Sequence, residues 1–249
     1  MKILIYGIGG TMGKILYNCA QESTDIEVVC GVDKFAIPQN YQIPVYADCT
    51  SVKENVDCII DFSVHSAVYD YLPYAVKNKV ACVIASTGHT KEELDYIKEN
   101  SKFIPILKSG NMSLGINLLL QISKFLAKSI GDIADIEIVE QHHNKKADAP
   151  SGTALLLADG IKSQLPESEY VLGRNGMSKR QPKEIGINAI RGGTIVGKHE
   201  VMFIMNNEII TLKHEAENKS VFAYGSLNAG RFIIKQSPNL YSMEDIYKD

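Results

Sequence analysis

The chain has 249 residues, enough for one large domain or two modest ones, and a chain of that size needs neither a disulfide nor a structural metal to hold its core. Its net charge of -3 excludes a broad electrostatic pull toward nucleic acid or anionic lipid, and no apolar stretch approaches the ~20 residues of a membrane span. Five cysteines (Cys19, Cys30, Cys49, Cys58 and Cys82), odd in number and without a CxxC, read as buried thiols in a reducing cytoplasm; Met1-Lys2 runs straight into a strand-like segment, with no sign of a signal peptide.

The first half alternates two kinds of segment. Apolar, β-branched runs at residues 2–6, 26–32, 56–62, 80–85 and 103–107 predict strands. Helical spacing at residues 11–21, 66–77 and 91–100 predicts helices between several of them, and residues 41–50 read as a loop with a short strand. Nearly continuous apolar strands joined by helices mean a parallel sheet covered on both faces, the doubly wound α/β plan.

The pattern then changes. Residues 114–129 and 151–164 predict amphipathic helices, residues 135–140 and 185–190 strands, and residues 173–183 a polar, mobile loop. Residues 200–205 and 208–213 flank Asn206-Asn207, good hairpin turn chemistry, so antiparallel pairing is expected to replace parallel pairing in a second, α+β mixed-sheet domain. In the hairpin, Val201, Phe203 and Met205 share one face and Met202 and Ile204 the other; a strand apolar on both faces needs cover on both, which a second subunit can supply. A last helix at residues 220–234 returns to the first domain. The expected boundaries are 1–112 plus 223–249 for the first domain and 113–222 for the second.

Gly7-Ile8-Gly9-Gly10-Thr11-Met12-Gly13 follows the first strand and opens the first helix. Glycines there let the chain turn tightly and let a pyrophosphate approach the backbone, while the helix N-terminus offers N–H groups and partial positive charge. The next strand ends at Asp33, a carboxylate suited to ribose hydroxyls, followed by Lys34, a candidate partner for a 2′-phosphate. A tight strand–helix turn with a surface aspartate is the competing, purely structural account.

The most unusual stretch is Glu140-Gln141-His142-His143-Asn144-Lys145-Lys146-Ala147-Asp148-Ala149-Pro150-Ser151-Gly152-Thr153. Pro150 restricts Ala149 to an extended conformation, and Ser151 is a plausible N-cap that puts Gly152 and Thr153 in a first helical turn, a second anion site. Two imidazoles and two ammonium groups beside such a turn suit a small substrate with carboxylates. Adjacent histidines point apart and have no partner at a familiar metal spacing, which disfavours a metal site; without aromatic interleaving, nucleic acid is disfavoured too. Composition and spacing alone do not separate a catalytic loop from a solvated one.

Over nearly its whole length the chain resembles the dihydrodipicolinate reductase (4-hydroxy-tetrahydrodipicolinate reductase) family. Gly7–Gly13 is similar to that family's GxGGxMG, and residues 136–153, IEIVEQHHNKKADAPSGT, to its E-x-HH-x-x-K-x-DAPSGT signature. Arg191-Gly192-Gly193 through Gly197-Lys198-His199 resembles its R-x-G…G-x-H stretch. Ala85-Ser86-Thr87-Gly88 and Ser109-Gly110-Asn111-Met112 fall where the family has G-T-T-G and A-N-F, two loops on the nicotinamide half of the cofactor; Ala85, Ser86 and Met112 depart from that pattern.

The resemblance implies a Rossmann domain plus a mixed-sheet domain that forms homotetramers, and NAD(P)H-dependent reduction of a cyclic imine dicarboxylate in lysine biosynthesis through diaminopimelate. It implies cofactor contacts from Gly7, Ile8, Gly9, Gly10, Thr11, Met12, Asp33, Ala85, Ser86, Thr87, Ser109, Gly110, Asn111 and Met112, to which the position of Lys34 adds a candidate. His142 becomes the acid/base residue and Lys146 the proton donor, with His143, Gly152 and Thr153 holding the substrate. NADH and NADPH are both expected to serve. Two rivals remain: another two-domain amino-acid dehydrogenase, separated by its product, and a non-catalytic NAD(H)-binding regulator, which would not need the His142–Lys146 segment.

Overall fold

A computed structural model describes residues 1–35 and 38–247; residues 248–249, the end of the expected first domain, lie outside it. The chain divides into two compact units, Met1–Ser113 with the chain from Lys219 onward, and Leu114–Asn218.

The first unit is a seven-stranded sheet. Its strands are β1 (Lys2–Tyr6), β2 (Glu27–Val32), β3 (Val45–Tyr46), β4 (Cys58–Asp61), β5 (Ala81–Ile84), β6 (Pro105–Lys108) and β12 (Asn239–Tyr241). They run in the order β12-β6-β5-β4-β1-β2-β3, and every pairing is parallel. Ile3, Leu4 and Ile5 of β1 are all fully buried, as a sheet covered on both faces requires. α2 (Val68–Asn78) and α3 (Lys91–Asn100) pack together, and Tyr71, Leu72, Ala75 and Ile97 join the core that Leu4, Ile59 and Cys82 build. α1 (Thr11–Gln21) packs beside α6 (Ser220–Ile233), which also lies on β4, β5 and β6. All five cysteines are buried and free. Order reverses between β1 and β4, the switch point at which such sheets bind dinucleotides.

The second unit is a five-stranded sheet in the order β11-β10-β7-β9-β8, from β7 (Asp135–His142), β8 (Glu169–Leu172), β9 (Glu184–Arg191), β10 (Gly197–Met205) and β11 (Glu208–Ala216). α4 (Leu114–Ile130) and α5 (Gly152–Lys162) give Leu119, Leu120, Ala154, Leu157, Ala158 and Ile161 to a core with Ile136, Ile138, Ile187, Val201 and Phe203. The sheet is less antiparallel than its sequence suggests: only β10 pairs antiparallel, with β7 and β11, while β7, β9 and β8 are mutually parallel. The reason is the helix α5 between β7 and β8, a crossover that returns the chain in its original direction. β8 and β12, short and weakly patterned, go unpredicted. In the polar loop at 173–183, Arg174 pairs with Glu184 at 2.6 Å and Arg180 with Asp135 at 2.7 Å. On β10, Val201 and Phe203 are buried in the core, whereas Met202 and Ile204 stay half-buried on the other face.

Candidate active site

In the first unit the glycine loop is built for a close approach. Gly7 has φ of +80°, and its N–H donates to the Val32 carbonyl at 2.8 Å. A Cβ on Gly13 would collide with the Gly7 carbonyl oxygen, so this glycine lets α1 pack directly on the loop. Gly10 is the N-cap of α1, no side chain caps the helix, and its first turn carries no acidic residue. The leading N–H groups, at Thr11 and Met12, are thus offered to an anion, which fits a dinucleotide pyrophosphate.

Asp33 is fastened to this loop. Its Oδ2 accepts from Gly9 N–H at 2.9 Å and its Oδ1 from Phe35 N–H at 2.8 Å, and each oxygen keeps acceptor capacity for a ribose hydroxyl. Lys34 Nζ lies 3.9 Å from the Asp70 carboxylate, so its charge is partly answered within the protein.

Other predicted cofactor residues divide by orientation. The Ile8 side chain is fully buried, and its carbonyl accepts from the Tyr41 hydroxyl at 2.9 Å. Thr87 is exposed and Ala85 half-buried, but Ser86 turns inward and donates to Asp61 Oδ2 at 2.5 Å. Ser109 Oγ donates to the Asn111 carbonyl at 2.8 Å and accepts from Asn111 N–H, a self-closed turn that leaves Gly110 exposed. Met112 is only 2% exposed. Ile8, Ser86 and Met112 therefore have backbone rather than side chain to offer a ligand. The loops after β1, β2, β5 and β6 all leave the carboxyl edge of one parallel sheet.

The second unit gathers the other candidates. Alternation along β7 puts Ile136, Ile138, Glu140 and His142 on the buried face. Register then sets His199 of β10 opposite Glu140, and Arg191 of β9 beside His142. Glu140 is fully buried and accepts four hydrogen bonds: from Arg191 Nη1 at 2.8 Å and Nη2 at 2.7 Å, from Ser151 N–H at 3.0 Å, and from His142 Nδ1 at 2.6 Å. Burial alone would raise its pKa, but these donors outweigh burial and hold it below the usual glutamate range. An ionised acceptor fixes the proton of His142 on Nδ1, which sets the tautomer and leaves Nε2 for chemistry.

Ser151 caps α5, accepting from Ala154 N–H at 3.2 Å, and its Oγ lies 3.2 Å from His199 Nε2. Burial, with the charge of neighbouring His142 second, pushes the His199 pKa down to about 4. The rings of His142 and His199 meet edge to face at 5.2 Å.

Gly152 and Thr153 occupy the first two positions of α5, whose first turn has no acidic residue. His143 Nδ1 is buried with no hydrogen-bond partner among the described residues, a vacant polar group of the kind a ligand satisfies. Lys146 Nζ pairs with Asp148 at 2.9 Å and is half-buried, while Lys145 is exposed. The loop is pinned by Asn144 N–H to the Gly193 carbonyl at 3.2 Å and by Gly192 N–H to the His142 carbonyl at 2.9 Å.

His142, His143, Lys146, Gly152 and Thr153 thus lie on one strand end, loop and helix start. Glu140, Arg191 and His199 stood in the quoted motifs without an assigned role, and Asp61 was not singled out at all. For Glu140 and His199 the signal was available, since period-two alternation sets both on core faces where an unpaired charge is not tolerated.

Comparison with known proteins gives a consistent result. The family model for the dihydrodipicolinate reductase N-terminus matches residues 1–112, and that for the C-terminus residues 115–247. A 4-hydroxy-tetrahydrodipicolinate reductase of Caldanaerobacter subterraneus subsp. tengcongensis is 51% identical, over 100% of this chain and 98% of its own. One from Clostridium tetani is 45% identical, over 98% and 96%. Among solved structures, dipicolinate-bound dihydrodipicolinate reductase from Paenisporosarcina sp. TG-14 superposes with a TM-score of 0.85, at 23% identity and 99% coverage of both chains. A protein from Thermotoga maritima described as a probable dehydrogenase, with a TM-score of 0.60 at 14% identity over 99% of this chain and 92% of its own, shares the fold.

Proposed function

The chain belongs to the dihydrodipicolinate reductase family and reduces 4-hydroxy-tetrahydrodipicolinate with a nicotinamide cofactor; on that premise we propose how its residues divide the work. The reaction consumes one hydride and one proton and releases one water, giving tetrahydrodipicolinate for lysine synthesis through diaminopimelate. When bound, the cofactor supplies the hydride. The head of α1 and Gly7, Gly9 and Gly10 receive its phosphates, and Asp33 its ribose hydroxyls. Thr87 and the backbone of residues 85–87 and 109–112 line its nicotinamide half.

Hydride arriving at a conjugated imine drives negative charge toward the ring nitrogen, and that charge must meet a proton or a fixed cation. Lys146 donates the proton, with Asp148 holding its ammonium in the loop. His142 exchanges protons through Nε2, its Nδ1 held by Glu140. One substrate carboxylate rests on the N–H groups at the start of α5, at Gly152 and Thr153, and the other against His143. The observation that carries this assignment is the buried Glu140 with its four donors, which orders the catalytic imidazole, the cap of α5 and Arg191 together.

Asp33 favours NADH, and Lys34 offsets part of its repulsion of a 2′-phosphate, so both cofactors serve, with NADH at least as good. The enzyme works in the cytoplasm as a homotetramer. The free buried cysteines support the first, and the open face of the second sheet supports the second: Met202 and Ile204 are half-covered there, while Ile190 and Ile209 are 48% and 60% exposed on strands of the same sheet.

A coupled assay with enzymatically generated substrate tests the reading. NADH and NADPH should both be consumed, and pyridine-2,6-dicarboxylate should compete less well as salt rises. Indifference to that dicarboxylate at millimolar levels refutes the carboxylate pocket, and tighter binding of NADPH than NADH by more than about a hundredfold refutes the role of Asp33. Light scattering that finds a stable monomer at micromolar concentration refutes the tetramer.

A further inference from the structure

Asp61 closes β4 at the carboxyl edge of the first sheet, is fully buried, and has no role in the chemistry above. Its carboxylate accepts from four donors. Oδ1 takes Ser63 N–H at 2.8 Å and Ser63 Oγ at 2.5 Å; Oδ2 takes Ser86 Oγ at 2.5 Å and Tyr71 OH at 3.3 Å. The two serines stand on different loops, one after β4 and one after β5. Ser63 in turn backs the glycine loop, for a Cβ on Gly7 would stand 3.0 Å from the Ser63 Cβ. One carboxyl group therefore ties together the loops after β4 and β5, and through Ser63 that pair abuts the glycine loop across the switch point.

Stability alone does not account for it. Burial pushes the Asp61 pKa up; a buried polar group with its partners rarely outperforms apolar side chains of the same volume, whereas a carboxyl group with four partners fixes the direction of each of them. Ser86 is the informative donor. The β5 loop runs Ala85-Ser86-Thr87, and Ser86 is held by its side chain while Thr87, next to it, is exposed.

We propose that Asp61 is a positioning residue for the nicotinamide half of the cofactor, setting the β5 loop through Ser86 and bracing it against the β4 loop through Ser63. The proposal rests on the reading that these loops hold a dinucleotide. It assigns Asp61 an effect on one end of the cofactor only. The adenine end depends on Asp33 and the glycine loop, which follow β2 and β1.

Asp61→Asn separates the two ends. With its oxygen toward Ser63 the amide keeps both Ser63 bonds, but its NH2 faces the Ser86 and Tyr71 hydroxyls, two donors that must then reverse. The measurement is the Kd of NADH and of ADP-ribose, which lacks only the nicotinamide ring, by titration calorimetry on wild type, Asp61→Asn, Ser86→Ala and the double variant. NADH should bind about tenfold more weakly to Asp61→Asn, the loss of one buried hydrogen bond, with ADP-ribose within about twofold. Ser86→Ala should show the same split, and the double variant should be no worse than Asp61→Asn alone. The proposal is overturned if NADH affinity is unchanged, if NADH and ADP-ribose weaken together as a general loss of structure would make them, or if the two single losses add. Should circular dichroism show Asp61→Asn unfolded, Ser86→Ala, which removes one hydroxyl, decides by the same split. A wild-type protein that binds neither ligand overturns the cofactor reading itself, and Asp61 with it.

Discussion

Glu140→Gln probes the active site with the smallest change of shape. The carboxylate serves four donors at 2.6–3.0 Å; the amide has one oxygen for two of them, and its NH2 must face the rest. If the NH2 faces Oε2's partners, it opposes His142 Nδ1–H and Arg191 Nη1–H. The imidazole then moves its proton to Nε2, the wrong tautomer for proton exchange with substrate. If it faces Oε1's partners, it opposes Arg191 Nη2–H and Ser151 N–H, and the cap of α5 loosens. Either way Arg191, whose side chain is 19% exposed, loses its counter-ion, a disruption of about 3–5 kcal/mol for a buried pair. Loss of a positioned proton-transfer group costs about 10²–10⁴ in rate, and kcat should fall within that range. The Kd for NADH, set by residues of the first unit, should stay within about twofold. Glu140→Asp, which keeps the charge but draws it back by one methylene, should fall between the two. Steady-state kinetics, with NADH binding followed by fluorescence and folding by circular dichroism, decides. A folded Glu140→Gln enzyme retaining more than about a third of wild-type kcat would falsify the positioning of His142 by Glu140.

His142→Ala and Lys146→Ala should each lower kcat by about 10²–10⁴ with NADH affinity little changed, and exposed Lys145→Ala should be mild; near-normal turnover in all three would make the loop merely solvated. The double variant should lose less than the product of the single losses if both residues act on one proton transfer. Asp33→Ala should weaken NADH by about ten- to a hundredfold and shift preference toward NADPH, read from the ratio of kcat/KM values; an unchanged ratio sinks the ribose assignment. His199, neutral in the fold with a pKa of about 4 against 6.5 unfolded, takes up a proton more readily when unfolded. Its contribution to stability is whole above pH 6.5 and is lost as pH falls toward 4, by about 3 kcal/mol for the one proton. His199→Asn should flatten the acid limb of the urea midpoint between pH 7 and 4.5, and an identical acid limb in the variant rules this out.

What was legible in the sequence follows from what is local. β1, α1 and α3 fall where the spacing puts them, because apolar period and capping are written within each segment; Thr90 and Glu93 even form a reciprocal capping box at the head of α3. The glycine loop was legible because a strand, a tight turn and a helix start must be contiguous. Strand direction in the second sheet was not, since pairing of β7 with β9 is set by a crossover rather than by either strand's own pattern. Ser86 and Met112 were assigned to the cofactor by their place in a loop, and their inward orientation depends on Asp61 and the core. The ion pair of Lys146 with Asp148 lies only two residues apart and could have been read.

Two of the residues that sequence reasoning passed over, Asp61 and Glu140, share one physical property. Asp61 ends the apolar run Cys58-Ile59-Ile60, and Glu140 sits on the core face of a strand whose preceding core-facing residues are Ile136 and Ile138. Each is a carboxyl group fully removed from water, a burial that is costly without compensating partners; burial pushes the Asp61 pKa up, whereas the donors around Glu140 outweigh burial and hold it below the usual range. Each is compensated by four donors drawn from three other residues, at sequence separations of 2, 10 and 25 for Asp61 and of 2, 11 and 51 for Glu140. Compensation from so far along the chain cannot be inferred from a window of sequence, but the need for it can. A carboxylate on the buried face of a strand near its carboxyl end must gather donors, and in a parallel pairing the nearest donors are on the loops where ligands bind. Such a residue is therefore better read as an organiser of the site than as an error in a hydrophobic pattern.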